Sequence, residues 1–332
     1  MKAALYRRCG PAEDVLSLEA LADPEPEPGD VLVELHVSGI NPADVKRRAG
    51  WRGLRMEHAR IVPHADGAGR IVAVGAGIDR SRIGQRVWLY NAQGGYGETG
   101  RADGTAAEFV SLPSRQAVPL PDALSYAEGA CLGIPAVTAH HAVFADGPVD
   151  GKVVLVAGAG GAVGHFAVQF ARAGGARVIG TTSSSLRKSH ALDAGASDVA
   201  DRHAPDLAAA LHDLSAGGFD RIVEVDFGAN IEMDLELLRP HGVIASYSST
   251  SRPEPALPYY ALQNKGGIIR SIQGFNIPAK ARCQAEARIA VLAREGRLQV
   301  AVGASVSLEK IVQAHQLVEA GATIGNVVLT LR

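Results

Sequence analysis

A glycine-rich turn follows an apolar, β-branched run, and residues 154–165 read VLVAGAGGAVGH. A strand, a tight turn and a helix whose first amide groups face outward form the site at which many proteins bind the pyrophosphate of a dinucleotide. Read from Gly158, the pattern GxGxxG fails at Val163, but read one residue later it fits as AxGxxG. The predicted pyrophosphate-binding residues are Ala159, Gly160, Gly161, Ala162, Val163 and Gly164.

The motif alone leaves open a second interpretation, a glycine-rich turn that binds nothing. The flanking elements favour a dinucleotide site, because KVVLVAG at 152–158 is typical of a buried strand and ARVIGTT at 176–182 of the next strand in a βαβ unit. In the AxGxxG reading, Gly158 and Gly160 add only loop flexibility.

The end of the second strand indicates which dinucleotide is bound. NAD-binding proteins usually place an acid about 20 residues after the loop to bind the ribose 2′-hydroxyl. Here the stretch GTTSSSLRKS at 180–189 contains hydroxyls and cations and no carboxylate. A 2′-phosphate binds hydroxyl and guanidinium donors, so we expect NADPH. The alternative to a 2′-phosphate contact is that Arg187 and Lys188 are solvated residues at an exposed helix end. The residues expected around the phosphate are Thr181, Ser183, Arg187 and Arg202.

Two successive patterns of residue composition along the chain predict the elements that position this loop. Up to about residue 125, short apolar stretches alternate with Gly, Pro and Asp turns, which predicts a β-barrel or sandwich. From there, strands alternate with helices, which predicts a doubly wound parallel sheet. We expect an α/β protein with a β-barrel domain at 1–125, a Rossmann domain at 126–274, and a segment at 275–332 that returns to the first domain.

Composition excludes several classes of function. The 332 residues carry a net charge of −2, which argues against a nucleic-acid footprint or an anionic membrane partner. Neither a signal peptide nor an apolar run of transmembrane length is found. The three cysteines lie far apart with no CxxC, which favours a reducing compartment and predicts a cytoplasmic protein.

Several stretches in family order resemble the medium-chain dehydrogenases/reductases, and among them the zinc-free quinone oxidoreductase, or ζ-crystallin, branch. The resemblance implies that the first domain is a GroES-like barrel and that the active site lies in the cleft between the domains. The matching strings are SGINPADVKRRAG (38–50), PHADGAGRIVAVG (63–75), GTAAEFV (104–110), GIPAVTAHHAV (133–143), AGAGGAVGHFAVQFARA (157–173), GASDV (195–199) and GATIGNVVL (321–329).

The resemblance also raises the question of whether this chain binds zinc, which distinguishes the alcohol dehydrogenases of the superfamily from its zinc-free branch. Alcohol dehydrogenases of this superfamily place a zinc-binding Cys where this chain has Asn41, and the His of their GHExxG string where it has Ala65. Zinc needs three or four N, S or O ligands, so we predict no metal site. We interpret His64 and Asp66 as residues that hydrogen-bond locally.

Without zinc, simple alcohol oxidation is disfavoured, and the cleft suits acceptors that are already electrophilic. Asn41 is the first catalytic candidate, since its amide can donate to a carbonyl or contact the nicotinamide ribose; capping the next turn is the alternative. Lys46, where several family members carry Tyr, either donates to an oxyanion or lies on the surface. Trp51 and Tyr96 line the acceptor pocket or only pack.

The remaining cofactor contacts are implied by the family match alone. They lie near the nicotinamide, the adenosine and the carboxamide, and they are Thr138, Asn230, Tyr247, Ser248, Ser249, Ser271, Ile272 and Gln273, besides Asn41 and Arg202.

We therefore expect an NADPH-dependent reductase of quinones or α,β-unsaturated carbonyls. An enoyl-thioester reductase is the alternative, favoured by the cationic run Arg47, Arg48, Arg52 and Arg55. A different class of function is an NADPH-binding sensor, structural or RNA-binding protein with little turnover. We also predict a homodimer, because the sheet edge at GVIASYS (242–248) is apolar and unprotected.

Overall fold

The computed structural model describes residues 1–94 and 100–331. Within them the strands are β1 (Lys2–Leu5), β2 (Ser17–Ala20), β3 (Asp30–Ile40), β4 (Asp66–Val74), β5 (Arg86–Leu89), β6 (Phe109–Pro113), β7 (Ala117–Pro119), β8 (Val153–Val156), β9 (Arg177–Thr182), β10 (Asp198–Asp201), β11 (Phe219–Glu224), β12 (Leu238–Ser246), β13 (Ile268–Ser271), β14 (Val302–Ser307) and β15 (Asn326–Thr330).

The helices follow the Ala-rich and amphipathic stretches of the sequence. They are α1 (Ala12–Val15), α2 (Pro42–Ala49), α3 (Tyr126–Gly129), α4 (Val137–Phe144), α5 (Ala162–Ala173), α6 (Ser185–Asp193), α7 (Leu207–Ser215), α8 (Phe227–Leu237), α9 (Tyr259–Lys265), α10 (Ala279–Arg294) and α11 (Ile311–Ala320). In the described part of the chain, no helix has the length and hydropathy that crossing a bilayer requires.

One compact unit combines Met1–Pro135 with the tail that begins at Glu286. Its main sheet has the order β14-β15-β3-β4-β5-β7, with β6 also paired to β3, and all its pairs are antiparallel except β14 with β15. In β3, buried residues alternate with half-buried ones, so one face forms a core with Ile71 and Leu89. The β3–β4 register pairs Gly39 with Asp66, which brings the end of β3 beside the start of β4.

The other compact unit is Ala136–Ala285. Its sheet is entirely parallel, in the order β10-β9-β8-β11-β12-β13. The strand order reverses between β8 and β11, and ligands of open α/β sheets bind beyond the carboxyl ends of the strands at such a point. The buried apolar residues Ile179, Ile222 and Ile244 come from three of these strands and belong to one core cluster.

The predicted fold class is confirmed: a doubly wound parallel sheet accompanies a β-rich unit. The boundaries predicted at 125 and 274 lie earlier than the divisions between the units, because α3 packs on β3 and β4 and because α10 spans the second division. One expectation is wrong: the strand at GVIASYS is not a sheet edge, since β12 pairs with β13, which forms the edge instead.

Candidate active site

The phosphate loop joins β8 to α5. Gly161 is the N-cap of α5, and the amides of the first helical turn, which begins at Ala162, have no partner within the helix. The loop therefore presents donors and the positive end of a helix dipole to an anion. A Cβ on Gly164 would lie 2.2 Å from the carbonyl oxygen of Gly158, so only glycine lets α5 pack this closely on the loop.

Gly158 and Gly160 do more than add flexibility, and that part of the sequence interpretation is wrong. Gly158 has φ +67°, a left-handed conformation that favours glycine. A Cβ on Gly160 would lie 2.8 Å from the Cβ of Arg187. Sequence reasoning also missed Gly180, where a Cβ would lie 2.7 Å from the Cβ of Ala159; a glycine inside a strand is the signal that marks such a close approach.

The predicted 2′-phosphate region lies where β9 and β10 end. The Arg187 guanidinium donates from Nη1 to the carbonyl oxygen of Gly160 at 3.1 Å, so this cation lies on the phosphate loop. Ser183 and the Arg202 side chain are exposed, and the Arg202 amide donates to the Thr182 carbonyl at 2.8 Å, which brings the ends of β9 and β10 together. Thr181 supports the loop itself, because its Oγ1 accepts from the Gly158 amide at 3.3 Å.

Three of the remaining predicted cofactor residues, Tyr247, Ser248 and Ser249, directly follow β12. The Ser249 hydroxyl accepts from the Gly228 amide at 2.9 Å, and the Phe227 amide donates to the Ser248 carbonyl at 3.0 Å, so this segment is joined to the start of α8. Tyr247 is the first residue after β12. Ser271 ends β13, and Ile272 and Gln273 follow it.

Asn230 is engaged with a buried acid that sequence reasoning missed. Its Nδ2 donates to Glu224 Oε1 at 3.0 Å, and Glu224 and Asp234 are both fully buried. Burial raises the pKa of both carboxyl groups, and the neighbouring Glu224 raises the pKa of Asp234 further. An acid inside an apolar strand (FDRIVEVD) and another inside an apolar helix were the available signals.

Thr138 lies on α4 and is 3% exposed. Among the described residues, its Oγ1 has no hydrogen-bond partner. A buried hydroxyl normally has one, so this orphaned group fits a bound ligand such as a nicotinamide ring.

Asn41 is both a capping residue and a member of a buried polar pair. It is the N-cap of α2, as the capping alternative expects, and its backbone amide donates to Asp44 Oδ2 at 2.8 Å. Its side-chain Nδ2 donates to Asp66 Oδ2 at 2.7 Å, and the same oxygen accepts from the Ile134 amide at 2.8 Å. Burial raises the pKa of Asp66 to about 8, while these hydrogen bonds act in the opposite direction.

Lys46 and Trp51 lie together on α2 and the turn after it. Lys46 Nζ is 4.8 Å from the centre of the Trp51 ring, within the range of a cation–π contact, and the Arg52 guanidinium is 5.6 Å from it. Trp51 is half-buried. Tyr96, the other predicted pocket residue, lies outside the described residues.

The cationic run from Arg47 to Arg55 is interrupted by burial. The Arg48 side chain is 1% exposed and donates to the Gly10 carbonyl and to the Glu319 carboxylate. It therefore contributes no charge to the surface.

The comparisons with known proteins place the chain in a family. A model described as the alcohol dehydrogenase GroES-like domain matches residues 27–122, and one described as zinc-binding dehydrogenase matches 162–291. The quinone oxidoreductase of Rattus norvegicus is 30% identical over 324 residues, which is 96% of this chain and 94% of that protein. The chain belongs to the quinone oxidoreductase family.

Solved structures agree with membership of the medium-chain dehydrogenases/reductases, the wider group that includes this family. An NAD-dependent alcohol dehydrogenase superposes with a TM-score of 0.90 at 28% identity, and a mycobacterial protein in complex with NADPH superposes with a TM-score of 0.86 at 25% identity. Both alignments cover 100% of each chain. The fold is therefore that of an NAD(P)-binding protein.

One matching family model is described as zinc-binding dehydrogenase, but the residues at the expected zinc position of this quinone oxidoreductase family member form no ligand set. Asn41 and Asp66 are in direct hydrogen-bond contact, and an amide nitrogen that donates a proton offers no lone pair to a metal. Nowhere in residues 1–94 and 100–331 do three His, Cys, Asp or Glu side chains form a group able to bind a metal. The residues do not fit zinc at this position.

Proposed function

We propose that the protein is an NADPH-dependent reductase of quinones or α,β-unsaturated carbonyl compounds that acts without zinc. The net reaction converts the acceptor, NADPH and one proton into the two-electron-reduced product and NADP⁺. The observation that carries the proposal is the direct contact between Asn41 Nδ2 and Asp66 Oδ2, which leaves an amide donor in place of a metal ligand. The name of the rat relative supports quinones as the acceptor class.

NADPH, when bound, supplies the hydride. The chain would hold its pyrophosphate on the amides that begin at Ala162, with the nicotinamide beside the Thr138 hydroxyl. Its 2′-phosphate would bind the cations and hydroxyls after β9 and β10, with Arg187 as the main contact. The orphaned hydroxyl and the donor-rich loop both fit this cofactor.

Asn41 would act on the acceptor. An amide NH₂ has two hydrogens, and Asp66 accepts one of them. The Asn41 side chain also hydrogen-bonds the Asp44 carboxyl group, and with an acceptor bound its second hydrogen would instead donate to the acceptor oxygen. That oxygen becomes more negative as the hydride arrives, so this hydrogen bond strengthens in the transition state. A proton from solvent then completes the enol or hydroquinone.

The test is the initial rate of NADPH oxidation with a panel of quinones, enones and enoyl-thioesters. The proposal predicts that quinones or enones give rates well above the uncatalysed reaction, and that Asn41→Ala removes most of that rate while leaving NADPH affinity unchanged. Selective turnover of enoyl-thioesters would favour the alternative reductase, which the burial of Arg48 disfavours. NADPH binding with no acceptor reduced would support a sensor or structural role.

We also propose a homodimer, now through β13, which is the edge of the parallel sheet and carries the exposed Ile268. An exposed edge strand can pair with a second copy across a two-fold axis. A dimeric mass in solution is expected, together with a shift toward monomer when Ile268 is replaced by Lys. A monomeric mass at micromolar concentration would contradict the proposal.

A further inference from the structure

The Asn41 amide is oriented by a carboxyl group in the interior of its unit. Asn41 is 5% exposed and Asp66 is 1% exposed, and the two are joined by the hydrogen bond described above. Because Asp66 Oδ2 also accepts from the Ile134 amide, the carboxyl group is fixed from two sides. Asp44 holds the Asn41 side chain from the start of α2, and Asp66 holds its amide nitrogen, so the direction of the amide depends in part on where the backbone places Asp66.

A chain of polar side chains leads from the backbone of Asp66 to α11. Thr105 Oγ1 lies 2.5 Å from the carbonyl oxygen of Asp66, and Ser38 Oγ lies 2.7 Å from Thr105 Oγ1. Ser38 Oγ is also 2.8 Å from His64 Nδ1, and His64 Nε2 is 2.9 Å from His315 Nε2. We call Thr105, Ser38, His64 and His315 the polar relay; each of the four is 0% exposed.

Each hydrogen in the polar relay has one possible position. The Asp66 carbonyl can only accept, so the Thr105 hydroxyl donates to it and has no second proton to give. Ser38 must then donate to Thr105, and His64 Nδ1–H must donate to Ser38.

The protonation of the two imidazole rings determines which nitrogen donates in the last hydrogen bond of the polar relay. Burial lowers the pKa of His64 well below its ordinary value and that of His315 to about 3, so both rings are neutral at physiological pH. His64 Nε2 is then an acceptor, and His315 Nε2–H donates to it. Every donor in the polar relay points toward Asp66.

The backbone of His64 is strained to make these contacts. His64 has φ +80°, the left-handed region that glycine favours and that is unfavourable for other residues. Such strain persists where surrounding contacts determine the conformation, and it is concentrated at functional sites. Both ring nitrogens of His64 are engaged, so side-chain contacts on two sides accompany this backbone conformation.

We infer that His64 and His315 are positioning residues for the reaction: the one-way hydrogen bonds of the polar relay fix Asp66, and Asp66 fixes the Asn41 amide. This inference rests on the proposed role of Asn41. None of the four relay residues needs to touch the acceptor or the cofactor, because the effect passes through the Asp66 backbone.

Two matched pairs of variants test the inference by steady-state kinetics with NADPH and the best quinone or enone. Thr105→Val removes the hydroxyl at constant shape and Thr105→Ser keeps it; His315→Leu removes the donor and His315→Gln keeps an N–H at similar reach. We expect Thr105→Val and His315→Leu each to lower kcat about tenfold through a small misplacement of the Asn41 amide, with the KM for NADPH unchanged. Thr105→Ser and His315→Gln should recover most of that loss.

The control is Ile311→Val, which shortens a residue of the same helix that is 2% exposed and whose apolar side chain forms no hydrogen bond. It should leave kcat unchanged. Because the relay acts as one unit, the double variant Thr105→Val/His315→Leu should lose no more activity than either single variant. Losses that multiply, or a kcat of Thr105→Val equal to that of the wild type, would overturn the inference.

A nuclear magnetic resonance measurement tests the same inference without turnover. In the wild type at pH 7, the ¹⁵N shifts should show His64 protonated at Nδ1 and His315 at Nε2. The Asn41 side-chain amide resonances should move in Thr105→Val and stay in place in Ile311→Val. If no acceptor is reduced, the proposed function fails while these resonances still decide the relay; reversed tautomers or unmoved Asn41 resonances would refute it.

Discussion

Replacing two neighbouring glycines of the phosphate loop by alanine should separate stability from cofactor binding. A Cβ on Gly164 would lie 2.2 Å from the carbonyl oxygen of Gly158 and 2.9 Å from the Cα of Ala159, so α5 must move away from the loop. Overpacking of this kind costs about 1–3 kcal/mol. For a unit of this size that cost corresponds to a fall in Tm of roughly 2–12 °C.

Gly161→Ala is the matched substitution three residues earlier. Its Cβ would meet only the Gly158 carbonyl oxygen, at 3.3 Å, and its φ of −91° suits alanine, so the stability should change by less than about 1 kcal/mol. The new methyl would instead occupy the space where the backbone approaches the pyrophosphate. Losing one hydrogen bond to a charged group costs about 1.5–3 kcal/mol, so the Kd for NADPH should rise roughly 10–150-fold.

Thermal denaturation without cofactor and fluorescence titration with NADPH measure the two effects on the same samples. We expect Gly164→Ala to lower Tm and Gly161→Ala to lower affinity at nearly unchanged Tm. If Gly161→Ala binds NADPH as the wild type does, the loop is not the pyrophosphate site. An unchanged Tm for Gly164→Ala would show that the helix is not packed on the loop as described.

Three further predictions concern single residues, and a fourth concerns metal. Arg187→Ala should raise the Kd for NADPH roughly 10–150-fold, because one charge-assisted hydrogen bond is lost, and should leave the Kd for NADH unchanged. Lys188→Ala on the same helix should have a smaller effect. A wild type that prefers NADH would refute the 2′-phosphate assignment. Arg48→Leu leaves the Gly10 carbonyl unpaired, so thermal denaturation should show a free energy of unfolding lowered by about 1–3 kcal/mol. A raised KM for the acceptor would instead show that the Arg48 cation faces the substrate. Between about pH 3 and 6.5 the unfolded chain binds a proton at His315 that the folded chain does not bind. As the pH falls through this range, the free energy of unfolding of the wild type should therefore decrease by about 1.4 kcal/mol per pH unit relative to His315→Gln. Parallel curves of stability against pH would contradict this prediction. Dialysis against a chelator should leave activity unchanged, and stoichiometric zinc lost together with activity would refute the zinc-free site.

Periodicity and turn residues were sufficient to predict the doubly wound sheet and the loop at Ala159. The conformation of Gly158 could not be read from the motif, because a pattern of small residues does not reveal which of them has φ +67°. The same limit hid the approach of Arg187 to Gly160, which depends on where α6 begins relative to the loop.

Long-range contacts account for the rest of the difference. We interpreted His64 and Asp66 as bonding locally, yet His315, the partner of the His64 Nε2 atom, is 251 residues away along the chain. Arg48 looked like part of a surface run because its sequence neighbours are also basic; its burial beside Glu319 depends on the packing of α11 against α2. Neither pairing leaves a periodic signal in the sequence.

Transfer of deuterium from the cofactor to an acceptor tests the central claim most directly. The metal-free protein would be given NADPH deuterated at the transferred position of nicotinamide C4 together with an enone, and the product would be analysed by mass spectrometry and proton resonance. Direct hydride transfer without zinc predicts one product molecule per NADPH consumed, with deuterium on the β-carbon. Deuterium lost to solvent, or no product until zinc is added, would contradict it.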